Sequence, residues 1–223
     1  LSDEYDIPII EDAAESLGST TDDKHTGTFG SIGVYSFNGN KLLSTSGGGV
    51  AVTNDKEKAD YMRFLSTQAK EPMPFYHHKE IGYNYRMSNV LAAIGVGQME
   101  VIEDRIKRTR EVNKIYREEL GDLFYSFQEE QENDRSNMWL TCALMNGGDK
   151  PDDLIAHLAK ENIEARRLWK PMHEQPVMQE YKKYINGNSS LLFLQGICLP
   201  SGSNLTDEDM QRIIKSIKTF FKQ

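Results

Sequence analysis

Short β-prone runs that end in polar, glycine-rich loops across the first half, and alternating strand and helix patterns across the second, predict an α/β domain followed by a smaller α+β domain. At 223 residues the chain is long enough for one large domain or two modest ones, each with its own core.

The first apolar run, Ile7-Pro8-Ile9-Ile10, ends in Glu11-Asp12 and reads as a buried strand with carboxylates at its carboxyl end. That is the end at which α/β sheets receive ligands. Residues 19–27 are polar and turn-rich. Residues 32–37 form a second β-prone run that leads into Asn38-Gly39-Asn40-Lys41, and Ser46-Gly47-Gly48-Gly49 leads into a third over residues 50–53. Asn54 or Asp55 is placed to cap a helix over residues 56–64. Residues 68–82, with Pro72, Pro74, His77 and His78, hold no sustained period and read as a long loop of the kind that carries function. From the N-cap candidate Ser88, apolar residues recur at helical spacing toward Tyr116 and Leu120, predicting a long helix with a possible kink. Its charged stretch, residues 104–117, reads as a solvated bridge into the second domain, giving domains at 1–112 and 113–223. Beyond it, residues 138–145 are β-like. Residues 151–160 form a helix with proline near its start after Asp149, and residues 163–168 are extended again. Helices are expected over residues 175–184 and 206–221, the latter opened by Thr206-Asp207-Glu208-Asp209.

Composition excludes several classes of function. Asp plus Glu number 34 against 26 Lys plus Arg, a formal charge of −8, which argues against nucleic acid or an anionic membrane surface as partner. No run approaches the roughly 20 apolar residues of a membrane span. Cys142 and Cys198 lie far apart in sequence without a metal-binding pattern, so neither a disulfide scaffold nor a structural zinc site is suggested, and a reducing, cytoplasmic setting fits. Adjacent His77 and His78 point apart and lack a third ligand at suitable spacing, so no metal site is expected. The segment from Leu1 to Asp6 has no signal-peptide pattern, and the chain reads as starting inside a longer protein.

Asp12 after a strand, Lys41 after another and the glycine loop that follows are each weak signals alone. In order they are not. Glu11-Asp12-Ala13-Ala14-Glu15-Ser16-Leu17-Gly18, Ser36-Phe37-Asn38-Gly39-Asn40-Lys41 with Ser46-Gly47-Gly48-Gly49, Gly82-Tyr83-Asn84-Tyr85-Arg86, Trp169-Lys170-Pro171-Met172-His173 and Leu199-Pro200-Ser201-Gly202 closely resemble the DegT/DnrJ/EryC1/StrS family. The resemblance covers essentially the whole chain. It implies fold type I of the pyridoxal 5'-phosphate (PLP) transferases, with the C-terminal half of the large domain followed by a small α+β domain. It also implies that an N-terminal part of the large domain, with further phosphate donors and a ring-stacking aromatic, lies outside this sequence.

The activity implied is transfer of an amino group from glutamate to a nucleotide sugar. The SFNGNK and WKPMH forms look most like the branch acting on UDP-4-keto-6-deoxy-N-acetylglucosamine. By resemblance Lys41 is the lysine that bonds the cofactor aldehyde and moves the proton, and its presence instead of histidine favours transamination over dehydration. Asp12 matches the carboxylate beside the ring nitrogen; at about 4 Å and an effective dielectric near 20 such a pair is worth roughly 4 kcal/mol. Ser36 matches a phosphate-binding serine. Glu15 stands where many relatives carry His or Gln near the ring oxygen. Asn84 and Arg86 match residues that reach the phosphate in a neighbouring subunit, which implies a homodimer with shared active sites. Arg166 and His173 resemble substrate-facing residues at the mouth of the site, while Arg167 departs from the proline often found there. Two other readings stand beside this one: a non-catalytic homologue acting as an assembly module, and a 3-aminotransferase of another ketosugar nucleotide.

Overall fold

The computed structural model describes residues 1–148 and 150–222. In chain order the elements are α1 (Ser2–Tyr5), β1 (Ile10–Asp12), β2 (Thr20–Thr21), β3 (Lys24–His25), β4 (Ile32–Ser36), β5 (Gly49–Val52), α2 (Lys56–Ser66), α3 (Asn89–Met99) and α4 (Ile102–Leu120). There follow β6 (Ser126–Phe127), β7 (Asp134–Arg135), β8 (Thr141–Leu144), α5 (Pro151–Ala159), β9 (Arg166–Arg167), α6 (Asn188–Gln195), β10 (Gly196–Leu199) and α7 (Asp207–Phe220).

The chain divides into two compact units, residues 1–105 with 131–137, and residues 106–130 with 138–223. The sequence reading placed the division at 112/113. In the structure it falls at 105/106, earlier in the same helix α4, and residues 131–137 return to the first unit because β7 pairs with β2, Thr20 opposite Arg135 and Thr21 opposite Asp134.

In the first unit β1 and β4 run parallel, with Asp12 opposite Val34, and β5 closes the sheet antiparallel to β4. The predicted buried strand at residues 7–10 is corrected: the strand is Ile10–Asp12, and Ile7, Ile9 and Ile10 are exposed because no element of this unit covers them among the described residues. Residues 19–27, read as turns, contain the β2–β3 hairpin. The cap of α2 is Asp55, whose side chain accepts the backbone N–H groups of Glu57 and Lys58. Ser88 caps α3 through the Leu91 N–H, but the single long helix breaks at Glu100 and Val101 into α3 and α4. Helix α3 buries no residue, and Val90 and Val96 are 65% and 64% exposed.

In the second unit a four-stranded antiparallel sheet, β6-β8-β10-β9, carries the core on one face. Ala143, Ile197 and Leu199 from the sheet pack with Val112, Tyr116 and Leu120 of α4 and with apolar residues of α5 and α7. The charged stretch of α4 is therefore amphipathic and only its outer face is solvated. Buried Tyr116 donates its hydroxyl to the Pro200 carbonyl at 2.8 Å. Helix α7 opens with a complete capping box between Thr206 and Asp209. Helix α5 starts with Pro151 after Lys150; Asp149 lies outside the described residues. The helix expected over residues 175–184 is absent. Only single 3-10 turns form, at Met172–Glu174 and Pro176–Met178, because residues 179–187 are all exposed and offer no face to bury. The apolar run 191–194 is helical instead, within α6.

Candidate active site

The carboxyl ends of the parallel strands β1 and β4 carry the polar residues. Asp12 closes β1, and one oxygen of its carboxylate accepts the Ala14 backbone N–H at 3.1 Å. Ser36 closes β4 and its hydroxyl accepts the Asn38 N–H at 3.3 Å. The turn that follows is knit locally: Asn38 accepts the Gly39 N–H with its side chain at 2.9 Å and the Lys41 N–H with its carbonyl at 3.0 Å. This turn sets the direction of Lys41, whose Nζ donates to Glu15 Oε1 at 3.0 Å. The Lys41 side chain is 14% exposed and that of Glu15 49%, so the amine is drawn under the surface while its carboxylate partner meets solvent. The glycine loop doubles back on β4 through Phe37 N–H to Gly48 O and Thr45 N–H to Phe37 O, both at 2.9 Å.

The loop beneath this edge is organised by Glu11. Its carboxylate accepts the backbone N–H of Gly27 at 2.7 Å and that of Gly30. Burial alone would raise its pKa, but the Gly30, Gly27 and Phe29 backbone donors, with the charge of Lys24, outweigh burial and hold it below the ordinary value of 4.5. The sign follows from that depression. The contribution of Glu11 to stability is complete above its unfolded pKa and is lost as pH falls through the lower folded value. Glu11→Gln places an amide donor against backbone donors and is expected to cost about 1.5–3 kcal/mol at neutral pH. Denaturant unfolding between pH 7 and 3 checks this, since the gap between the two proteins should narrow as Glu11 protonates.

Asn137, which sequence reading missed, fastens the segment bearing Glu15. Its side-chain amide donates to the carbonyls of Glu15 at 2.9 Å and Leu17 at 3.1 Å. Arg135 adds a bond to the Gly18 carbonyl at 3.2 Å and an ion pair with Glu103 at 2.7 Å. No spacing in the sequence signals these long-range contacts.

Asn84 and Arg86 lie on the same unit in a segment strapped to the C-terminal end of α2, where Tyr85 and Arg86 donate their backbone N–H groups to the Ser66 carbonyl. Both side chains are exposed, and the Arg86 guanidinium makes no ion pair among the described residues. Arg166 and His173 belong to the second unit. Arg166 is exposed and pairs with Glu164 at 2.6 Å. His173 Nε2 lies 3.2 Å from Ser190 Oγ, and Ser190 donates to Glu174 at 2.5 Å. Arg167 makes a two-pronged bond with Asp152. The structure thus joins Lys41 to Glu15 directly and sets Asp12 and Ser36 on the adjoining strand ends.

No group of three or more His, Cys, Asp and Glu is arranged to hold a metal ion among the described residues. His78 Nδ1 bonds the Gln68 carbonyl at 2.9 Å, a role internal to the long loop. No helix among the described residues is long and apolar enough to cross a membrane.

The chain is similar to several known proteins. EpsN of Bacillus subtilis (strain 168), a protein named provisionally as a pyridoxal phosphate-dependent aminotransferase, is 46% identical over 99% of the chain. The GDP-perosamine synthase of Escherichia coli O157:H7 is 37% identical over 96% of it. In both cases the chain spans 58% of the relative's length. A crystal structure of a DegT DnrJ EryC1 StrS aminotransferase from Brucella abortus superposes with a TM-score of 0.88 at 29% identity, over 100% of this chain and 59% of that one. Helicobacter pylori PseC, an aminotransferase involved in the biosynthesis of pseudoaminic acid, shares the fold with a TM-score of 0.90 at 24% identity, over 99% of this chain and 61% of that one. The architecture is that of fold type I, and the model of the DegT/DnrJ/EryC1/StrS aminotransferase family matches residues 1–218. The chain belongs to the DegT/DnrJ/EryC1/StrS aminotransferase family.

Proposed function

We propose that the protein containing this chain is a PLP-dependent aminotransferase that moves an amino group from glutamate to a 4-keto-6-deoxy nucleotide sugar derived from UDP-N-acetylglucosamine. The observation that carries the reading is the Lys41–Glu15 pair at the carboxyl edge of β1 and β4, with Asp12 ending the neighbouring strand. The names of relatives support the sugar-nucleotide class: a GDP-perosamine synthase at 37% identity, and a Campylobacter jejuni UDP-4-amino-4,6-dideoxy-N-acetyl-beta-L-altrosamine transaminase at 31% over 56% of the chain.

The donor set fits the cofactor. An amine drawn under the surface suits an aldehyde, a strand-end carboxylate suits a protonated ring nitrogen, and a hydroxyl with an exposed guanidinium suits a phosphate. When bound, PLP supplies the electron sink that lets the amino group leave the donor and join the ketone. Lys41 holds and moves the proton at its Nζ, and Glu15 orients that Nζ by accepting from it. Asp12 keeps the ring nitrogen protonated, so its replacement by Asn weakens turnover more than binding. Ser36 binds phosphate. Arg86 and Asn84, exposed on their own unit, serve the phosphate site of a second subunit, and the exposed apolar residues of α3 support such a homodimer. Arg166 and His173 bind the sugar nucleotide. A cytoplasmic setting accords with the source of sugar nucleotides and with a role in cell-surface glycans.

The test is incubation with PLP, reduction with borohydride and peptide mapping, followed by addition of glutamate and the ketosugar nucleotide. A phosphopyridoxyl group on the Lys41 peptide and ketosugar-dependent 2-oxoglutarate are expected. No 2-oxoglutarate from folded, cofactor-loaded full-length protein with any 4-ketosugar nucleotide would overturn the reading and leave the assembly module.

A further inference from the structure

We propose that Cys142 and Cys198 form an oxidisable thiol pair, which a two-electron oxidant of the peroxide class converts to a disulfide across the centre of the second unit's sheet. Sequence spacing gives no hint of it. The fold sets Cys198 of β10 directly opposite Cys142 of β8, with the sulfurs 3.7 Å apart.

The register is the kind that admits a bond. Both backbone polar groups of Cys142 turn toward the other neighbour: its N–H donates to the Gln128 side chain at 2.8 Å, and its carbonyl accepts the Gln128 N–H at 3.1 Å. In an antiparallel ladder a residue's N–H and C=O point the same way, so Cys142 and Cys198 form a non-hydrogen-bonded pair. Such pairs bring Cα atoms to about 4.5 Å, within the range of about 4.4–6.8 Å that disulfides span. Rotation about the side-chain torsions, without movement of either strand, then suffices to bring the sulfurs to bonding distance.

The pair lies on the sheet face away from the core, since Ala143, Ile197 and Leu199 occupy the core face and the cysteines alternate with them. Cys142 is partly exposed and Cys198 buried, so oxidant meets Cys142 first. The Cys142 sulfur displaces hydroxide from peroxide, which leaves as water once protonated and leaves a sulfenic acid. The Cys198 sulfur then attacks the Cys142 sulfur, a second water departs and the S–S bond forms. Two thiols lose two electrons and two protons, and one peroxide becomes two waters. Arg166 of β9 stands directly opposite Cys198 on its other side, so the linkage forms on the face that presents a proposed substrate-binding residue. The inference does not depend on the proposed activity.

The test treats the intact chain with hydrogen peroxide, blocks remaining thiols with iodoacetamide and maps peptides without reduction. The expected result is one linked species joining the Cys142 and Cys198 peptides within a single chain, two hydrogen masses lighter than the thiol form and restored by dithiothreitol. In Cys198→Ser the oxidation should stop at a dimedone-reactive Cys142. Oxidation of Cys142 to sulfinic acid while Cys198 remains a thiol, or linkage only between chains, would overturn the proposal. The mapping of the unsubstituted chain decides this even where Cys198→Ser fails to fold.

Discussion

Lys41→Ala is expected to abolish the borohydride-fixed phosphopyridoxyl label and to lower ketosugar amination by a factor of about 10²–10⁴ or more, the range over which a positioned acid or base acts. The amine at the β1–β4 edge is able both to bond an aldehyde and to carry a proton, and it is held by Glu15 Oε1 at 3.0 Å. Lys41→Arg separates chemistry from folding. It keeps a cation for Glu15 and so preserves the local pairing, but a guanidinium cannot replace the amine in proton transfer, and both label and turnover should still be lost. On the proposed reading Asp12→Asn provides the contrast: the label should persist while turnover falls, because the carboxylate would act on the ring nitrogen and not on attachment. Full turnover in Lys41→Arg would remove Lys41 from the reaction.

Gly33→Ala is expected to destabilise the first unit by about 3 kcal/mol or more, at the upper end of the range for overpacking. A Cβ at this position would lie 1.8 Å from the Gly27 carbonyl oxygen and 2.6 Å from its carbon. Both are backbone atoms, so no side chain can swing aside. Gly27 is itself tethered, its N–H given to Glu11, and Glu11 sits opposite Gly33 in the β1–β4 register. The methyl must therefore either push the Gly27 loop from Glu11 or part the two strands whose ends carry Asp12 and Ser36. Denaturant midpoints measure the loss. Gly47→Ala is the control: a Cβ there meets nothing within 4 Å, and a change within about 0.5 kcal/mol is expected.

Helix starts were legible in the sequence because a cap acts within three residues. Asp55, Ser88 and Thr206 each accept a backbone N–H two or three positions ahead; the sequence marks Ser88 as a cap, offers Asp55 beside Asn54, and opens the last helix at Thr206. Helix extent was less legible, because it depends on burial. Residues 175–184 have some helical composition but gain no covered face, whereas α4 continues through its charges because Ile106, Val112, Tyr116 and Leu120 are buried. The two-residue strands β2, β3 and β7 are too short to show a period, and they exist through pairing with one another.

By itself the sequence determined the family, the order of the motifs, the identity of Asp12, Ser36, Lys41, Asn84 and Arg86 as site candidates, and the capped helix starts. These are properties of residues adjacent in the chain or set at fixed local spacing. Only the tertiary structure decided that Glu15 holds Lys41, that Asn137 fastens the Glu15 segment, that residues 131–137 return to the first unit, and that Cys142 faces Cys198. Each of these contacts joins residues far apart in sequence, and strand register and the path of the backbone bring them together, which no local propensity encodes.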